Sequence, residues 1–455
     1  MALKGADIKA KLPDGGKKNC KECGFPTCFA FAMKLASGAI SLDKCPYLAD
    51  DIKAELEEAM APPQKLVAIG TGDNALSIGN EEVLYRHDKT FFNPCGFALA
   101  ISDNDADDVV DQKIQNIKDL EFERVGLTLK ANLLAPVFES GNKDKFVALV
   151  KNIAEKSDRG MVIISEDTDA LFAARDAVAD KKPLIYPITK DNIDKAIPEI
   201  KKSPTPIGIR AASIEDLIPL TEKLKAAGID DCVLDSGARK TQDMIKDQTF
   251  MRRAALKQGE RSLGYPTIAF PCMMTKDKME EVVIASVALV KYAGIIVLSD
   301  MTRETLQPLL VQRLNVYTDP RMPMTVEEKI YEIGEPTEDS PVLISTNWAL
   351  TYFIVSSEIE GAKVPVHLLV KDAEGLGVLT AWAAGKFNGD NIGPFVKNSG
   401  IESKVKNKKL VLPGKVARIK GEVEDALPGW EIVVGPREAS GITGWLPDYA
   451  NSLKS

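Results

Sequence analysis

Four cysteines near the start of the chain have the spacing of a metal-binding segment. They are Cys20, Cys23, Cys28 and Cys45, in the pattern C-x2-C-x4-C-x16-C. The first three fall within nine residues, with Gly24 and Pro26 between them, and can surround one side of an inorganic cluster. The apolar, helix-prone segment 29–40 can fold back and bring the fourth thiolate to the same centre. We therefore predict an iron–sulfur cluster on these four cysteines, 4Fe–4S rather than 2Fe–2S.

Three other interpretations of the cysteines stay open. Structural zinc usually takes two closely spaced pairs, whereas 16 residues separate the last two cysteines here. Disulfides suit a secreted domain, but the start of the chain lacks the pattern of a signal peptide. Unligated buried thiols are common singly but not at this density. We predict that last role for Cys95, Cys232 and Cys272.

Histidine is scarce, with only His87 and His367 in 455 residues. This scarcity argues against a zinc hydrolase, a His-based catalytic triad and a His-ligated haem. Chemistry must therefore come mostly from the cysteine cluster or from a bound cofactor. We expect His87 to be a surface or packing residue and His367 to pack within a strand.

The composition is that of a soluble globular protein of two to four domains, with 45% hydrophobic and 27% charged residues and a net charge of −8. No apolar run approaches the ~18 residues of a membrane-spanning helix, so we predict no span and a cytoplasmic location. No basic block is present, which argues against nucleic-acid binding.

Short apolar runs alternate with amphipathic stretches through the middle of the chain. Eight runs are candidate strands: FALAISD from Phe97, ERVGLTL from Glu123, GMVIISE from Gly160, PLIYPIT from Pro183, TPIGIRA from Thr205, DCVLDSG from Asp231, TIAFPC from Thr267 and GIIVLSD from Gly294. Such runs fit strands buried on both faces of a parallel sheet. We predict a (β/α)8 TIM barrel over 65–335, with a doubly wound open sheet as the alternative. LVAIGTG from Leu66 can cap or enter the barrel.

Polar residues follow several of these strands, at the barrel face that usually carries function. They are Asp103, Glu166, Asp167, Arg210, Asp235 and Asp300. They form no clear catalytic pair, and capping of the next helix explains each acidic residue more simply.

The final third, 341–455, predicts an open, Rossmann-like α/β sheet. Its strands are VLIST from Val342, PVHLLVKD from Pro365, KLVLPG from Lys409 and EIVVGP from Glu431. Small and polar residues follow each strand, where open α/β sheets bind ligands. Four such loops favour a large, flat, hydrogen-bonding ligand. At the other end, Ala61-Pro62-Pro63 predicts a stiff spacer that tethers a cluster domain at 1–60.

Longer motifs add a family resemblance over residues 18–442. KNCKECGFPTCFAFAMKLASG, RHDK, STNWALTYF, EGLGVLTAW and VVGPREASGI resemble the large (gamma) subunit of the corrinoid/iron–sulfur protein of the reductive acetyl-CoA pathway. The resemblance implies a 4Fe–4S cluster on the first four cysteines and a cobamide in the C-terminal domain. By motif, it implies cobamide contacts from Thr346, Tyr352, Leu376, Gly377, Val378, Leu379, Thr380 and Ala439. Gly377 stands where the family pattern leads us to expect a serine.

Many corrinoid proteins supply a cobalt ligand through D-x-H-x-x-G, and this motif is absent. Tyr85 and Pro365 stand two residues before the two histidines. We therefore expect a cobalt without a protein imidazole, which makes the reduction of Co(II) to Co(I) easier.

The resemblance implies a methyl carrier that takes part in methyltransferase chemistry without a catalytic side chain of its own. Co(I) accepts a methyl group from a methyl-pterin on a separate methyltransferase, and methyl–Co(III) delivers it to acetyl-CoA synthase. The 4Fe–4S cluster returns Co(II) to Co(I). The implied partners are a small subunit that completes a heterodimer, the methyltransferase, and carbon monoxide dehydrogenase/acetyl-CoA synthase. The alternatives are an electron-transfer subunit without its own corrinoid and a barrel that is itself a pterin-dependent methyltransferase.

Overall fold

A computed structural model describes residues 4–37, 39–124 and 127–453. The strands, in chain order, are β1 (Leu66–Ile69), β2 (Leu76–Gly79), β3 (Gly96–Ser102), β4 (Phe122–Arg124), β5 (Leu127–Leu129), β6 (Leu133–Val137), β7 (Gly160–Ile164), β8 (Leu184–Ile188), β9 (Ile207–Arg210), β10 (Cys232–Asp235), β11 (Thr267–Ala269), β12 (Ala293–Leu298), β13 (Lys329–Ile333), β14 (Val342–Thr346), β15 (Val366–Lys371), β16 (Lys409–Leu412) and β17 (Glu431–Val434).

The α-helices, in chain order, are α1 (Gly5–Lys11), α2 (Pro13–Gly16), α3 (Cys28–Ala36), α4 (Asp50–Met60), α5 (Asp107–Asp119), α6 (Lys143–Lys156), α7 (Thr168–Asp176), α8 (Ile193–Lys202), α9 (Ile214–Ala226), α10 (Thr241–Arg253), α11 (Lys278–Val290), α12 (Arg303–Tyr317), α13 (Ala349–Ala362), α14 (Val378–Ala383), α15 (Gly389–Asn398), α16 (Lys420–Ala426) and α17 (Ile442–Ser452). Two compact units contain these elements. The first takes the described residues up to Glu121 and Lys130–Tyr317, and the second takes Phe122–Leu129 and the chain from Thr318 onward. Within the described residues, no helix has the length and apolar composition to span a lipid bilayer.

The first 60 residues build an apolar cluster from their own side chains. Its buried members are Ile8, Leu12, Phe31, Ala32, Leu35, Leu42 and Leu56. Helix α3 begins where the Thr27 hydroxyl accepts a hydrogen bond of 3.1 Å from the Ala30 amide. This segment therefore has an apolar core of its own, as a small separate domain would have.

The spacer after α4 is hydrogen-bonded to the barrel. The Arg261 guanidinium donates to the carbonyls of Ala61, at 3.0 Å, and Pro62, at 2.6 Å. The Gln64 amide donates to the Tyr265 carbonyl at 3.1 Å and accepts from Arg252 at 2.9 Å. The predicted stiff spacer is thus anchored at its barrel end.

Eight parallel strands close into a barrel in the order β3-β6-β7-β8-β9-β10-β11-β12. This confirms the TIM-barrel prediction. Seven of the eight predicted runs form barrel strands, but ERVGLTL from Glu123 was assigned wrongly. That run forms the antiparallel pair β4–β5, which belongs to the second unit.

The missed barrel strand is β6, LLAPV. Leu133, Leu134 and Ala135 are fully buried, whereas Leu127 in the misassigned run is 51% exposed. A proline in a short apolar run lowers its apparent strand propensity, and Pro136 does so here. Strand β6 lies between β3 and β7 because its apolar side chains are buried there, and not because its sequence has a high strand propensity.

The β1–β2 hairpin caps the amino-terminal end of the barrel strands. Val67, Ile69, Leu76 and Ile78 join the apolar barrel interior. A side chain at Gly96, the first residue of β3, would place its Cβ 2.3 Å from Leu76 Cδ2. The glycine therefore permits the close approach of the hairpin, and LVAIGTG has the capping role expected of it.

The C-terminal sheet has the order β13-β15-β14-β16-β17, with β14 to β17 parallel. The four predicted strands are confirmed, and the antiparallel edge strand β13 was missed. Because Lys329–Ile333 belongs to this sheet, the sheet begins before the predicted boundary between 65–335 and 341–455. The three-domain division itself stays a prediction.

Candidate functional site

A cavity of about 520 Å³ lies in the second unit at the carboxyl ends of β14, β16 and β17. The order in which the chain adds strands to the sheet reverses at β14, since β15 lies on one side of β14 and β16 on the other. Open α/β sheets bind ligands at such a switch point. The apolar lining includes Ile354, Val355, Leu379, Pro413, Pro436 and Ile442. The size and lining suit an organic ligand.

Two hydroxyls at the end of β14 have no hydrogen-bond partner among the described residues. Ser345 is 2% exposed, lines the cavity and leaves its Oγ unpaired. The Thr346 Oγ1 is also unpaired, but alternation along the strand points it to the other face of the sheet. A buried unpaired hydroxyl costs about 1–3 kcal/mol. Ser345 therefore fits a site whose ligand carries hydrogen-bonding groups, as a corrinoid does.

Asn347 fixes the loop that follows β15. Its side-chain amide donates to Asp372 at 2.8 Å, and its Oδ1 accepts from the backbone N–H of Ala373 at 3.0 Å and of Gly375 at 3.1 Å. Gly375 has φ +73°, and an added Cβ would lie 2.9 Å from Pro323. One buried side chain thus positions the loop leading into α14.

Gly377 precedes α14 and packs against Trp348. An added Cβ would lie 2.9 Å from the Trp348 ring. A serine at this position would therefore displace the indole, which gives a physical reason for the glycine. The next residues line the cavity, and Leu379 is 49% exposed there.

The loops after β16 and β17 close against each other. The Gly414 N–H donates to the Pro436 carbonyl at 3.0 Å, and the Gly435 N–H donates to the Leu412 carbonyl at 2.9 Å. Charged groups border the cavity here, including Arg437 and the Lys415–Glu438 ion pair of 2.9 Å. The small residues after each strand were the signal in the sequence for this arrangement.

The structure places five of the residues implied by the resemblance in the cavity wall: Gly377, Val378, Leu379, Thr380 and Ala439. Leu376 packs instead against the neighbouring apolar core. Tyr352 packs on Tyr331 with ring centroids 4.6 Å apart, and burial raises its pKa. The sequence reasoning missed Thr351, Ile354 and Val355 on α13, and the 45% exposure of Ile354 now distinguishes that face.

The first three cysteines lie on a tightly curled loop. Asn19, Lys21 and Gly24 have φ of 44°, 67° and 83°. The Asn19 side chain accepts from the Cys28 N–H at 2.8 Å, and the Asn19 N–H donates to the Cys28 Sγ at 3.4 Å. An N–H directed at sulfur stabilises a thiolate, so this loop suits anionic sulfur ligands.

Contacts around Tyr47 join the fourth cysteine to this loop. The Lys18 Nζ lies 3.2 Å from the centre of the Tyr47 ring, and the Tyr47 hydroxyl donates to Glu22 at 2.7 Å. Cys23, Cys28 and Cys45 all pack against the same apolar cluster. Among the described residues, no three His, Cys, Asp or Glu side chains converge as ligands of one metal ion. A four-iron cluster binds each thiolate to a different iron and therefore needs wider spacing than a single metal ion does.

The other cysteines have the environments of inert thiols. Cys95 and Cys232 are fully buried, and Cys272 is partly buried. Burial raises the pKa of the Cys95 and Cys272 thiols to about 12. Neither thiol ionises near neutral pH.

The polar residues at the barrel mouth are bonded to protein groups. Asp167 caps α7 through the Ala170 N–H, as predicted, and Asp103 accepts from Glu139 and Ser140. The remaining groups pair as Glu166 with Arg210, Asp235 with Arg239 and Tyr186, and Asp300 with Lys278. These pairings explain the polar strand ends without a catalytic role.

The two histidines have the ordinary roles expected of them. His367 is 2% exposed within β15, and its Nε2 faces the Thr337 carbonyl at 3.3 Å. Burial lowers its pKa, so the ring stays neutral. His87 is exposed and stacks on Tyr85 with ring centroids 5.6 Å apart.

Two protein-family models match the chain. The model for "CO dehydrogenase/acetyl-CoA synthase delta subunit" matches residues 66–446, and the model for "Putative Fe-S cluster" matches residues 16–47. The second match contains all four clustered cysteines.

Curated relatives match nearly the whole length. The corrinoid/iron–sulfur protein large subunit of Moorella thermoacetica is 42% identical over 445 residues, covering 98% of each chain. The acetyl-CoA decarbonylase/synthase complex subunit gamma of Methanopyrus kandleri is 36% identical, covering 98% of this chain and 97% of the relative. The same subunit of Methanothermobacter thermautotrophicus is 33% identical, covering 100% of both.

Proposed function

The chain belongs to the family of corrinoid/iron–sulfur protein large subunits and acetyl-CoA decarbonylase/synthase gamma subunits, and from this premise we propose that it is a methyl carrier. It holds a cobamide in the cavity of its C-terminal sheet and a 4Fe–4S cluster on Cys20, Cys23, Cys28 and Cys45. The cavity floored by the unpaired Ser345 hydroxyl is the observation that carries the proposal. In this proposal the domain at 1–60 carries the cluster and the C-terminal domain carries the cobamide, with the barrel between them in the sequence.

The side chains around the cavity bind and orient the cofactor. A bound corrinoid supplies the cobalt that accepts and releases a methyl group. Ser345 would hydrogen-bond its polar edge, while Ile354 and Leu379 would cover apolar surface and exclude water. Asn347 would hold the Gly377–Thr380 wall in place. The resemblance also implies Thr346, Leu376 and Tyr352; these residues do not line the cavity and would act by supporting its wall.

The histidine geometry supports a cobalt without a protein imidazole. His367, the histidine of the second unit, is buried in the sheet and bonded to Thr337. His87 belongs to the first unit, where it lies beside Asp88 at 3.4 Å. Without a protein imidazole, a bound corrinoid would be easier to reduce to the state that a methyl acceptor needs.

We propose that a methyl-pterin methyltransferase donates the methyl group and that acetyl-CoA synthase receives it. A small subunit completes the heterodimer. Methyl transfer by this pair without an added methyltransferase would instead favour the barrel as the transferase. The bonded polar groups at the barrel mouth count against that alternative.

An absorption spectrum of anaerobically purified protein tests the carrier directly. Corrinoid bands in near-stoichiometric amount with protein are expected beside the iron–sulfur absorption. Iron–sulfur absorption alone would remove the carrier and leave an electron-transfer subunit.

Substitution of one cluster cysteine separates carriage from reduction. Cys20→Ala should transfer methyl groups at the wild-type rate when chemically pre-reduced, but fail to recover from the Co(II) state with a protein electron donor. Cys95→Ala is the matched control, because Cys95 is buried away from the cluster segment. Loss of transfer by pre-reduced Cys20→Ala would contradict the division of roles.

A further inference from the structure

A second cavity, of about 620 Å³, lies in the first unit beside the ends of α10 and α11. Its wall is formed by α10, by the π-helical turn Ala254–Gln258 that continues α10, and by Lys291 directly after α11. It shares no lining residue with the cavity of the C-terminal sheet. Its volume is that of a small-molecule site, for which about 300–1,000 Å³ is usual. We call it the α10 cavity.

Three side chains of the α10 cavity are cations without a carboxylate partner. Lys246, Arg253 and Lys291 line the cavity, and none of them forms an ion pair within 4 Å among the described residues. Asp243 and Asp247 also lie on α10, but neither lines the cavity nor pairs with a cation in the part of the chain that the structure describes. The wall therefore carries three positive charges and no carboxylate, in a chain whose net charge is −8.

The dipoles of the two helices do not cancel these charges. Lys291 directly follows α11, and the carboxyl end of a helix carries about half a negative charge. Two such ends leave the wall with a net charge of about +2. Within the described residues, the three cationic side chains donate no hydrogen bond to a protein group. They are therefore available to an anion.

An aromatic face and an unpaired hydroxyl lie beside the cations. Phe250 is 49% exposed, although its ring is large and apolar. The Thr249 Oγ1 is buried and has no hydrogen-bond partner among the described residues. Exposed aromatic rings stack on nucleobases, and the arginine fork matches the oxygens of a phosphate. The α10 cavity therefore combines groups that suit the two ends of a nucleotide.

We propose that the α10 cavity binds a nucleotide. Lys246, Arg253 and Lys291 hold its phosphates, and its base stacks on Phe250. The Thr249 hydroxyl donates a hydrogen bond to the ligand, which removes the cost of leaving this group buried and unpaired. No covalent bond is made or broken on binding. The proposal is independent of the methyl carrier, because none of these residues lies in the cysteine segment or in the C-terminal sheet.

Calorimetric titration of the full-length protein, purified with its cofactors, tests the binding. The ligands are ATP, tripolyphosphate and adenosine, which present both ends of a nucleotide, the phosphates alone and the base with its sugar alone. ATP should bind, tripolyphosphate should bind about tenfold more weakly because it lacks the base, and adenosine should give no measurable heat. The affinity for ATP should fall as salt rises from about 0.1 M to about 1 M. Equal affinities for ATP and tripolyphosphate, or no binding of ATP, would overturn the proposal.

Two variants separate the phosphate contacts from the base contact. The double variant Arg253→Gln and Lys291→Gln should weaken the binding of ATP and of tripolyphosphate by the same factor, about tenfold. Phe250→Ser should weaken ATP about tenfold and leave tripolyphosphate unchanged. Thermal unfolding shows whether each variant is folded. If Phe250→Ser is not, Phe250→Leu must show the same selective loss of ATP affinity for the proposal to stand.

Matched changes elsewhere in the first unit control for net charge and for exposed apolar area. Lys145 and Lys181 are exposed, and the double variant Lys145→Gln and Lys181→Gln removes the same two charges. Met279 is 63% exposed at the other end of α11, and Met279→Ser is the control for Phe250→Ser. Both controls should bind ATP within about twofold of wild type. Equal weakening by the controls would show that ATP binds to general surface charge and would overturn the site.

Photolabelling with 8-azido-ATP locates the bound nucleotide without a substitution. The label should appear on peptides that contain α10 or Lys291, and an excess of ATP should prevent it. Label confined to the loops of the C-terminal sheet would place the nucleotide in the other cavity and overturn the proposal. A wild-type protein that lacks corrinoid bands but binds ATP at α10 would contradict the proposed methyl carrier and support this site.

Discussion

The Ser345 hydroxyl is a polar group placed where a ligand in the cavity can form a hydrogen bond with it. It is buried at the end of β14 and lacks a partner among the described groups. Ser356, on α13 of the same unit, is 8% exposed, but its hydroxyl donates to the Phe353 carbonyl at 3.2 Å. The two residues are of the same type, and they differ in whether the side-chain hydroxyl has a hydrogen-bond partner. This difference makes them a matched pair.

Ser345→Ala should leave the corrinoid-free protein equally or more stable, by up to about 1 kcal/mol, because it removes an unpaired polar atom. Its corrinoid affinity should fall about tenfold. Ser356→Ala should lose about 1 kcal/mol of stability and bind corrinoid normally. Urea unfolding and corrinoid titration measure both. Equal destabilisation by the two changes, with unchanged corrinoid affinity, would show that Ser345 does not face the ligand. Thr346→Val tests the second hydroxyl in the same assays.

His367 should make the second unit sensitive to acid. Burial lowers its pKa in the folded protein, so the unfolded chain binds more protons once pH falls below the ordinary histidine pKa of about 6.5. Its contribution is constant above that pH, and stability falls from there down to the lowered pKa. His367→Gln should reduce this loss of stability below about pH 6.5. Thermal unfolding at several pH values measures the difference, with His87→Gln as the exposed control. Parallel pH profiles for wild type and His367→Gln would contradict the assignment.

At the scale of elements, Asn347 connects two strand ends. Its Oδ1 accepts from two backbone N–H groups of the loop after β15. Asn347→Leu should leave both donors unpaired and cost about 2–4 kcal/mol. Because that loop leads to the Gly377–Thr380 wall, corrinoid binding should weaken in parallel. Asn391→Leu on α15 is a control, since the Asn391 side-chain oxygen is unpaired in the structure. Normal corrinoid affinity in Asn347→Leu would show that the wall holds its position without this residue.

Much of the element layout was predictable from the sequence, and the failures have a common cause. Strands β7 and β12, which form most of the runs GMVIISE and GIIVLSD, are buried throughout, so hydrophobicity alone identifies them. ERVGLTL has similar hydrophobicity and spacing, but it pairs with itself as a hairpin. Tertiary packing places LLAPV rather than ERVGLTL in the barrel, and no local sequence pattern shows this choice.

The part of the site that is formed by the loops after the strands was predictable from the sequence. Small residues after β14 to β17 located the cavity, because loops that approach a ligand need short side chains. The α13 residues that complete the wall were not predictable from periodicity. The polar and apolar residues of α13 are not separated onto two faces, and only the packed structure distinguishes Ile354 from buried neighbours such as Ile359.

At the scale of the whole molecule, the first 60 residues have their own core, but the spacer belongs to the barrel. A chain that begins at Ala61 should therefore fold, bind corrinoid and transfer methyl groups after chemical pre-reduction. A chain that begins at Lys65 also loses Gln64, which leaves the buried Arg252 guanidinium without that acceptor. This shorter chain should be less stable by about 1–3 kcal/mol. Thermal unfolding and corrinoid content compare the two. Equal stability of the two chains would contradict the structural role of the spacer.

The second unit is discontinuous in sequence, because it includes the hairpin Phe122–Leu129 as well as the chain from Thr318 onward. The ribosome makes this hairpin after only the first barrel strand, and it makes the remainder of the same unit after the barrel is finished. During synthesis the second unit is therefore the last part to be completed, because its earliest piece is made before most of the barrel. Under the proposed function, cofactor loading would therefore be a late step of biogenesis. A gene fragment that starts at Thr318 encodes an incomplete second unit, because it lacks Phe122–Leu129.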